Sequence, residues 1–197
     1  MGMTSFTGKD MLMTAIRSGN FAMMDPFGMS GVARLDTGFN SGDNLELHKA
    51  FYKFPVSDDM EITFGPKLRQ DDLLGVWPSS YPSDPILFVL NQAGASDTYS
   101  KKMGAGAGIT YAQDNLSASL AFVSDEGSDA SQGVLTDQGS DDLTAQVAWT
   151  GDRFTVAAAY TTSDGGNTTN TADAADFDAW GVSGQYDFDN GISLNAG

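Results

Sequence analysis

Residues 143–161 read LTAQVAWTGDRFTVAAAYT, which is the clearest structural signal in the chain. Before Gly151, apolar residues occupy every second position, and the residues between them are polar or small. After Arg153 the same alternation starts again. Successive side chains of a β-strand point to opposite faces, and Gly-Asp is a tight-turn pair. The stretch therefore predicts two antiparallel strands, each with one apolar face and one polar face.

The same alternation recurs along the chain, where β-branched and aromatic residues favour strands over helices. The clearest runs are about nine to eleven residues long, which is the length that a tilted strand needs to cross a bilayer. Strands of ordinary globular proteins are closer to about five or six residues. We predict strands at residues 8–17, 30–37, 45–55, 60–69, 102–112, 116–124, 142–150, 153–162, 178–188 and 191–197.

The connections between these runs alternate in length. Short, turn-like connections lie at residues 57–59, 113–115, 151–152 and 189–191, and long polar ones at 70–101, 124–141 and 162–178. Barrels of outer membranes have short turns at one rim and long loops at the other. The pattern predicts an all-β fold, an antiparallel up-and-down transmembrane β-barrel of about ten strands. Because a barrel has to close, we expect residues 1–197 to be one barrel domain that is incomplete at its C-terminal end.

Composition narrows the function classes. The chain has 197 residues, no Cys, one His (His48) and a formal net charge of −16. Disulfides and thiolate chemistry are excluded, and this charge repels a phosphate backbone, so we expect no nucleic-acid partner. No catalytic group, metal site or cofactor site is predicted. The acidic loop at 125–142 lacks the ligand spacing of an EF-hand, and no phosphate-binding Gly loop or serine elbow is present.

Three stretches resemble cyanobacterial outer-membrane porins, which are grouped with the carbohydrate-selective porins and include iron-uptake porins. They are SFTGKD at residues 5–10, with the residues that follow it to Phe21; LLGVWPSSYPSD at 73–84; and YSKKMGAGAG at 99–108. The resemblance extends over most of residues 5–124. The signal peptide, S-layer homology domain and terminal strand of that family have no counterpart here, so we expect the chain to be a fragment.

This resemblance implies an outer-membrane porin of a Gram-negative-type bacterium, in contact with outer-membrane lipid. Its solutes would be small and hydrophilic: inorganic ions including iron, and carbohydrates. Porins are typically trimers, so a homo-oligomer is a further expectation. The alternative interpretation is a soluble or surface all-β module that binds carbohydrate, and an enzyme is not expected.

Lumen-facing charges and loop constrictions set the selectivity of a pore. The residues that alternate with apolar ones are therefore our candidates for the pore lining: Arg34, Asp36, Glu61, Thr63, Lys67, Arg69, Gln146 and Gln185. The long connection at 70–100 is stiffened by Trp and Pro residues, and it is the candidate constriction, with Trp77, Tyr81, Asp84 and Phe88 as its narrowing residues. An extra strand or helix packed on a core is the competing interpretation of that connection.

Overall fold

A computed structural model describes residues 2–22, 34–84, 86–87, 90, 92–127, 129, 131, 133–136, 139–165 and 176–197. Ten strands form one antiparallel sheet in the order β1-β2-β5-β6-β7-β8-β9-β10-β11-β12, and β3 and β4 pair separately. The strands are β1 Gly2–Thr4, β2 Met11–Arg17, β3 Asn20–Phe21, β4 Phe39–Asn40, β5 Glu46–Pro55, β6 Met60–Arg69, β7 Met103–Gln113, β8 Leu116–Ser124, β9 Asp141–Thr150, β10 Phe154–Asp164, β11 Phe177–Asp187 and β12 Ser193–Ala196.

From β5 onward each strand pairs antiparallel with the next strand along the chain. The prediction of an all-β, up-and-down antiparallel sheet is therefore confirmed for these strands. The short and long connections also alternate as predicted: residues 114–115 join β7 to β8, whereas 125–140 join β8 to β9. Strands β1 and β12 are the two edges of the sheet, and no pairing between them is found within the described residues. No helix in the described part of the chain is long and apolar enough to span a membrane.

The predicted run at 191–197 shortens to Ser193–Ala196, the short strands β1, β3 and β4 were not predicted, and two further predictions differ for reasons that the structure shows. The run at 8–17 shortens to Met11–Arg17 because Asp10 closes a turn, its carboxylate accepting the backbone N–H of Thr7 at 2.6 Å. The run at 30–37 is wrong over 34–37, since Leu35 makes only an isolated bridge to Leu87; residues 30–33 lie outside the described residues. There the backbone binds another connection instead of the sheet, with Asp36 N donating to Ile86 O at 2.9 Å.

The two faces of the sheet differ in both chemistry and exposure. We call one the exposed face, because its large apolar side chains are open to the surroundings; on the central strands it comprises Leu120, Leu143, Val147, Trp149, Val156, Tyr160, Trp180 and Val182. The opposite side is the covered face, where the same strands carry small and polar residues: Ser117, Ser119, Thr144, Gln146, Ala148, Thr155, Ala157, Thr161 and Ser183, all buried.

Burial of the covered face comes from the connection between β6 and β7. We call residues 70–100 the crossing segment; among its described residues, Gln70, Gly75, Thr98 and Tyr99 contact the covered side of β8, β9 and β10. Leu73 packs with Phe51, Leu68 and Val123 in one apolar cluster, and Tyr99 packs with Ala159 in another. The sheet is thus closed on one side by its own polypeptide and left open on the other.

Candidate functional site

The crossing segment begins with a one-turn 3-10 helix, Gln70–Leu73, at the end of β6. Asp72 fixes this turn from two directions. Its carboxylate accepts the backbone N–H of Arg69 at 2.8 Å and forms an ion pair with Lys49 of β5 at 2.7 Å. The chain is thereby turned off the sheet and onto the covered face as soon as the strand ends.

Gln70 then fastens both ends of the crossing segment to the middle of the sheet. Its side-chain amide donates to Thr98 O at 3.0 Å and to Thr144 Oγ1 at 2.6 Å. Thr144 and Thr161, neighbours on β9 and β10, join their hydroxyls at 2.8 Å, and Thr161 also donates to Thr98 O at 2.7 Å. Gln70, Thr144 and Thr161 are at most 1% exposed, so these hydrogen bonds are formed away from water, where breaking them is costly.

A second attachment is centred on Asp142 at the start of β9. Its carboxylate forms an ion pair with Lys102 at 2.7 Å and accepts the hydroxyls of Ser100 and Ser163, each at 2.6 Å. The Asp142 side chain is 1% exposed. Lys102 also donates to the hydroxyl of Ser140, so the end of the crossing segment is held at several points.

Aromatic packing fills the space between these attachments. Trp77 and Tyr99 meet edge to face with ring centroids 5.3 Å apart. The Tyr99 hydroxyl accepts the amide of Gln146 at 3.0 Å, and burial raises the pKa of this phenol. The crossing segment therefore contacts the covered face through rigid rings as well as through polar groups.

Several buried polar atoms on the covered face make no hydrogen bond to the described protein atoms. They are Trp77 Nε1, Ser117 Oγ, Gln146 Oε1, Ser183 Oγ and Gln185 Oε1. Buried polar atoms are normally paired with protein or water. This side of the sheet is consequently suited to contact with water or polar solutes, in contrast to the opposite side.

Four of the predicted pore-lining residues lie on the covered face. Thr63 and Gln146 are buried beneath the crossing segment, and Gln185 is partly buried. Glu61 lies near the short-connection end, where it forms an ion pair with Lys53 at 3.0 Å. It lines a cavity of about 330 Å³ between the β5–β6 turn and the first residues of the crossing segment. Their role in a pore stays a prediction.

The expectation that Lys67 and Arg69 share the face of Thr63 is wrong. The pairing of β6 with β7 shifts between Gly65 and Leu68, so one extra residue is accommodated there. Such a bulge reverses the alternation. As a result Leu68 enters the apolar cluster of the covered face, while Lys67 pairs with Ala50 and projects to the exposed-face side. Pro66, which cannot donate to a strand ladder, is the sequence signal for this irregularity.

Arg34 and Asp36 are not on a strand, so the alternation that made them candidates does not apply. Asp36 lies 3.6 Å from the Nζ of Lys101. Arg69 nearby binds Asp71 at 2.5 Å and Asp84 at 2.7 Å. Burial raises the pKa of Asp71, but the hydrogen bond and charge of Arg69 outweigh it and bring the pKa to about 2. These charged residues bind connections together at the long-connection end of the sheet.

The constriction candidates divide between two positions. Trp77 lies against the covered face, as the prediction of an inward-folded connection requires. Tyr81 is exposed, and Asp84 is turned to Arg69. Phe88 lies outside the described residues. Sequence reasoning did not identify the residues that attach the crossing segment to the sheet, because their partners are remote in the chain: Gln70, Tyr99, Lys102 and Asp142. The polar Gln70 directly after a predicted strand was the one local indication of such an attachment.

Comparisons with known proteins add one relative. The chain is 27% identical over 109 residues to a Synechocystis protein named "Uncharacterized protein sll0772", a match that covers 55% of this chain and 20% of that protein. The matched stretch thus spans about a fifth of this relative's length. No family model matches, and no solved structure matches.

Proposed function

We propose that this chain is part of an outer-membrane porin, in which the covered face, with the crossing segment packed on it, is turned to a water-filled channel and the exposed face contacts lipid. The observation that carries the proposal is the inverted distribution of polarity between the two faces. Val147 and Trp149 are 55% and 48% exposed, whereas Thr144 and Gln146 on the same strand are 0% and 2% exposed. Closure of the sheet between its two edges belongs to the proposal.

The free energy of apolar burial supports lipid as the surroundings of the exposed face. Removing one large apolar side chain from water is worth about 1.5–3 kcal/mol. Soluble monomers rarely expose apolar patches of more than a few hundred Å², yet apolar residues continue here across β8, β9, β10 and β11. Hydrocarbon around this face would remove the free-energy cost of exposing these apolar side chains to water. Strands β8 to β11 are 9 to 11 residues long, which is the length that a membrane span needs.

The crossing segment supports a fixed constriction. It lies across the polar side of the sheet and is attached by Gln70, Asp142 and Tyr99 through buried contacts. Several such attachments favour a rigid obstacle over a lid that opens and closes. The proposed function is passive diffusion of small hydrophilic solutes past this obstacle, with inorganic ions, iron and carbohydrates as the solute classes and a homo-oligomer as the assembly.

Conductance of planar bilayers tests the channel. The full gene product that contains these residues, purified in detergent, should insert and give discrete conductance steps. No conductance above the lipid baseline would refute the proposal. The rival interpretation, a soluble or surface carbohydrate-binding module, predicts instead a monodisperse protein without detergent that melts cooperatively.

Gln70→Ala tests the constriction within the same measurement. Losing the amide removes the bond from the start of the crossing segment to Thr144 of β9 and the bond to Thr98 O near its end, so we expect larger and noisier conductance steps than in the wild type. Gln113→Ala is the matched control, because Gln113 is exposed at the end of β7 and its side chain, among the described residues, bonds only the nearby Tyr111 hydroxyl. Equal single-channel traces for the two variants would count against the crossing segment as the narrowing element.

A further inference from the structure

A basic pocket lies at the long-connection end of the sheet, apart from the covered face. It is a cavity of about 310 Å³ between the ends of β2, β5 and β6 and the start of β7. Its lining includes two carboxylates, those of Asp36 and Glu46, and four cations, those of Arg17, Lys67, Arg69 and Lys101. These are four of the ten Lys and Arg residues of a chain that has 26 acidic ones. Such a concentration of positive charge runs against the overall composition.

Two of the four cations already have carboxylate partners. Arg69 binds Asp71 and Asp84, and Lys101 lies near Asp36. These pairs shape the wall of the pocket, and their charges are largely compensated.

Arg17 and Lys67 remain for an external anion, since within the described residues no carboxylate lies within 4.0 Å of either cationic group. Arg17 is positioned by uncharged groups: it donates to Thr37 O at 3.2 Å, lies 3.5 Å from His48 Nε2 and covers the Phe39 ring at 4.5 Å. Glu46, opposite Arg17 on β5, is exposed to solvent.

The pocket also has an apolar side and a defined place on the sheet. Phe39, Leu47 and Met103 supply apolar wall. Lys67 shares the exposed-face side of β6 with Phe64, because the two residues pair with Ala50 and Tyr52, which alternate with the covered Phe51 on β5. Cations next to apolar surface at the end of a membrane-facing sheet match an amphipathic anion, with phosphate at the rim and acyl chains along the strands.

We propose that Arg17 and Lys67 form a binding site for the phosphate headgroup of an anionic lipid. This site rests on the proposed function, because it requires the exposed face to contact lipid. Both cations would contact the phosphate oxygens, while Leu47 and Met103 would contact the first carbons of the lipid.

Lipid titration of the full gene product in micelles of a zwitterionic phosphocholine detergent tests the site. Added phosphatidylglycerol should raise the melting temperature of the wild type, and the apparent affinity of Arg17→Gln with Lys67→Gln should be roughly thirtyfold weaker. Lys9→Gln with Arg153→Gln removes the same charge outside the pocket and should retain affinity within about threefold. If the double variant fails to fold, Lys67→Gln alone measures the loss of apparent lipid affinity, because Lys67 forms no ion pair in the described part of the chain.

Equal affinities of the pocket variant and the charge-matched control would overturn the site. Inorganic phosphate alone giving the full stabilisation would overturn the assignment to lipid. Failure of the channel and failure of the lipid site give different results. If the protein gives no conductance but its lipid affinity depends on the pocket residues, only the porin proposal is refuted. If it conducts but its lipid affinity does not depend on them, only the lipid site is refuted.

Discussion

Along strand β9, neighbouring residues experience opposite surroundings. Leu143, Val147 and Trp149 are 40–55% exposed, while Asp142 and Thr144, which alternate with them, are at most 1% exposed. In a soluble sheet the apolar side would be buried and the polar side wet. The difference teaches that burial on this strand follows the position of the crossing segment and not the hydrophobicity of the side chains, which is the feature from which we propose lipid contact for the exposed face.

The largest effect is expected from Asp142 on the covered face. Asp142→Ala removes a fully buried carboxylate and leaves the half-buried Lys102 without its partner, which should lower the free energy of unfolding by about 3–5 kcal/mol. The measurement is urea denaturation of the refolded full gene product in lipid vesicles. Asp189→Ala is the matched control: its ion pair with Arg153 is equally short, 2.7 Å, but exposed, so it should cost less than about 1 kcal/mol. Similar losses in the two variants would erase the contrast between covered and exposed charges.

A charge on the exposed face should have the next largest effect. Val147→Arg places a cation where we propose hydrocarbon, and near the bilayer midplane this should cost about 2–4 kcal/mol in the same vesicle assay. Val147→Leu keeps the side chain apolar and should stay close to the wild type. If Val147→Arg left stability in vesicles unchanged, water would be the better description of the surroundings of this face.

Acid should produce the smallest of the three effects, at the end of the sheet where Arg69 holds Asp71. The pKa of this carboxyl is about 2 when folded and 3.8 ordinarily. A depressed folded-state pKa gives stability that is present above pH about 4 and is lost as the pH falls toward about 2. The wild type should therefore lose roughly 2 kcal/mol more than Asp71→Asn between pH 6 and pH 2. Parallel losses in both proteins would show that Asp71 does not contribute in this range.

Most of the fold could be predicted from local patterns. The runs at 60–69, 116–124 and 142–150 correspond to β6, β8 and β9 with at most one residue of difference. The two-residue period is a property of the extended backbone, so any sufficiently long alternating run reveals it. The prediction failed at 34–37, where a few alternating residues were too short a sample to distinguish a strand from a connection.

The candidate site was less accessible to such reasoning. Thr63 and Gln146 lie on the face opposite the apolar residues, as predicted, because each lies within an uninterrupted alternation; their role in a pore stays a prediction. Lys67 was not, since the irregularity after Gly65 reverses every later side chain of β6. Gln70 was overlooked because its partner Thr144 is 74 residues away.

The sequence by itself determined the strands, the two chemically distinct faces and the alternation of short and long connections. These follow from backbone periodicity and turn chemistry, which act over a few neighbouring residues. Only the tertiary structure decided that the described residues of the crossing segment pack on the polar side, that Asp142 accepts the Ser100 hydroxyl at its end and that Arg17 and Lys67 line one pocket. Those outcomes depend on contacts between groups far apart in the chain, which form once the sheet has brought its strands into register.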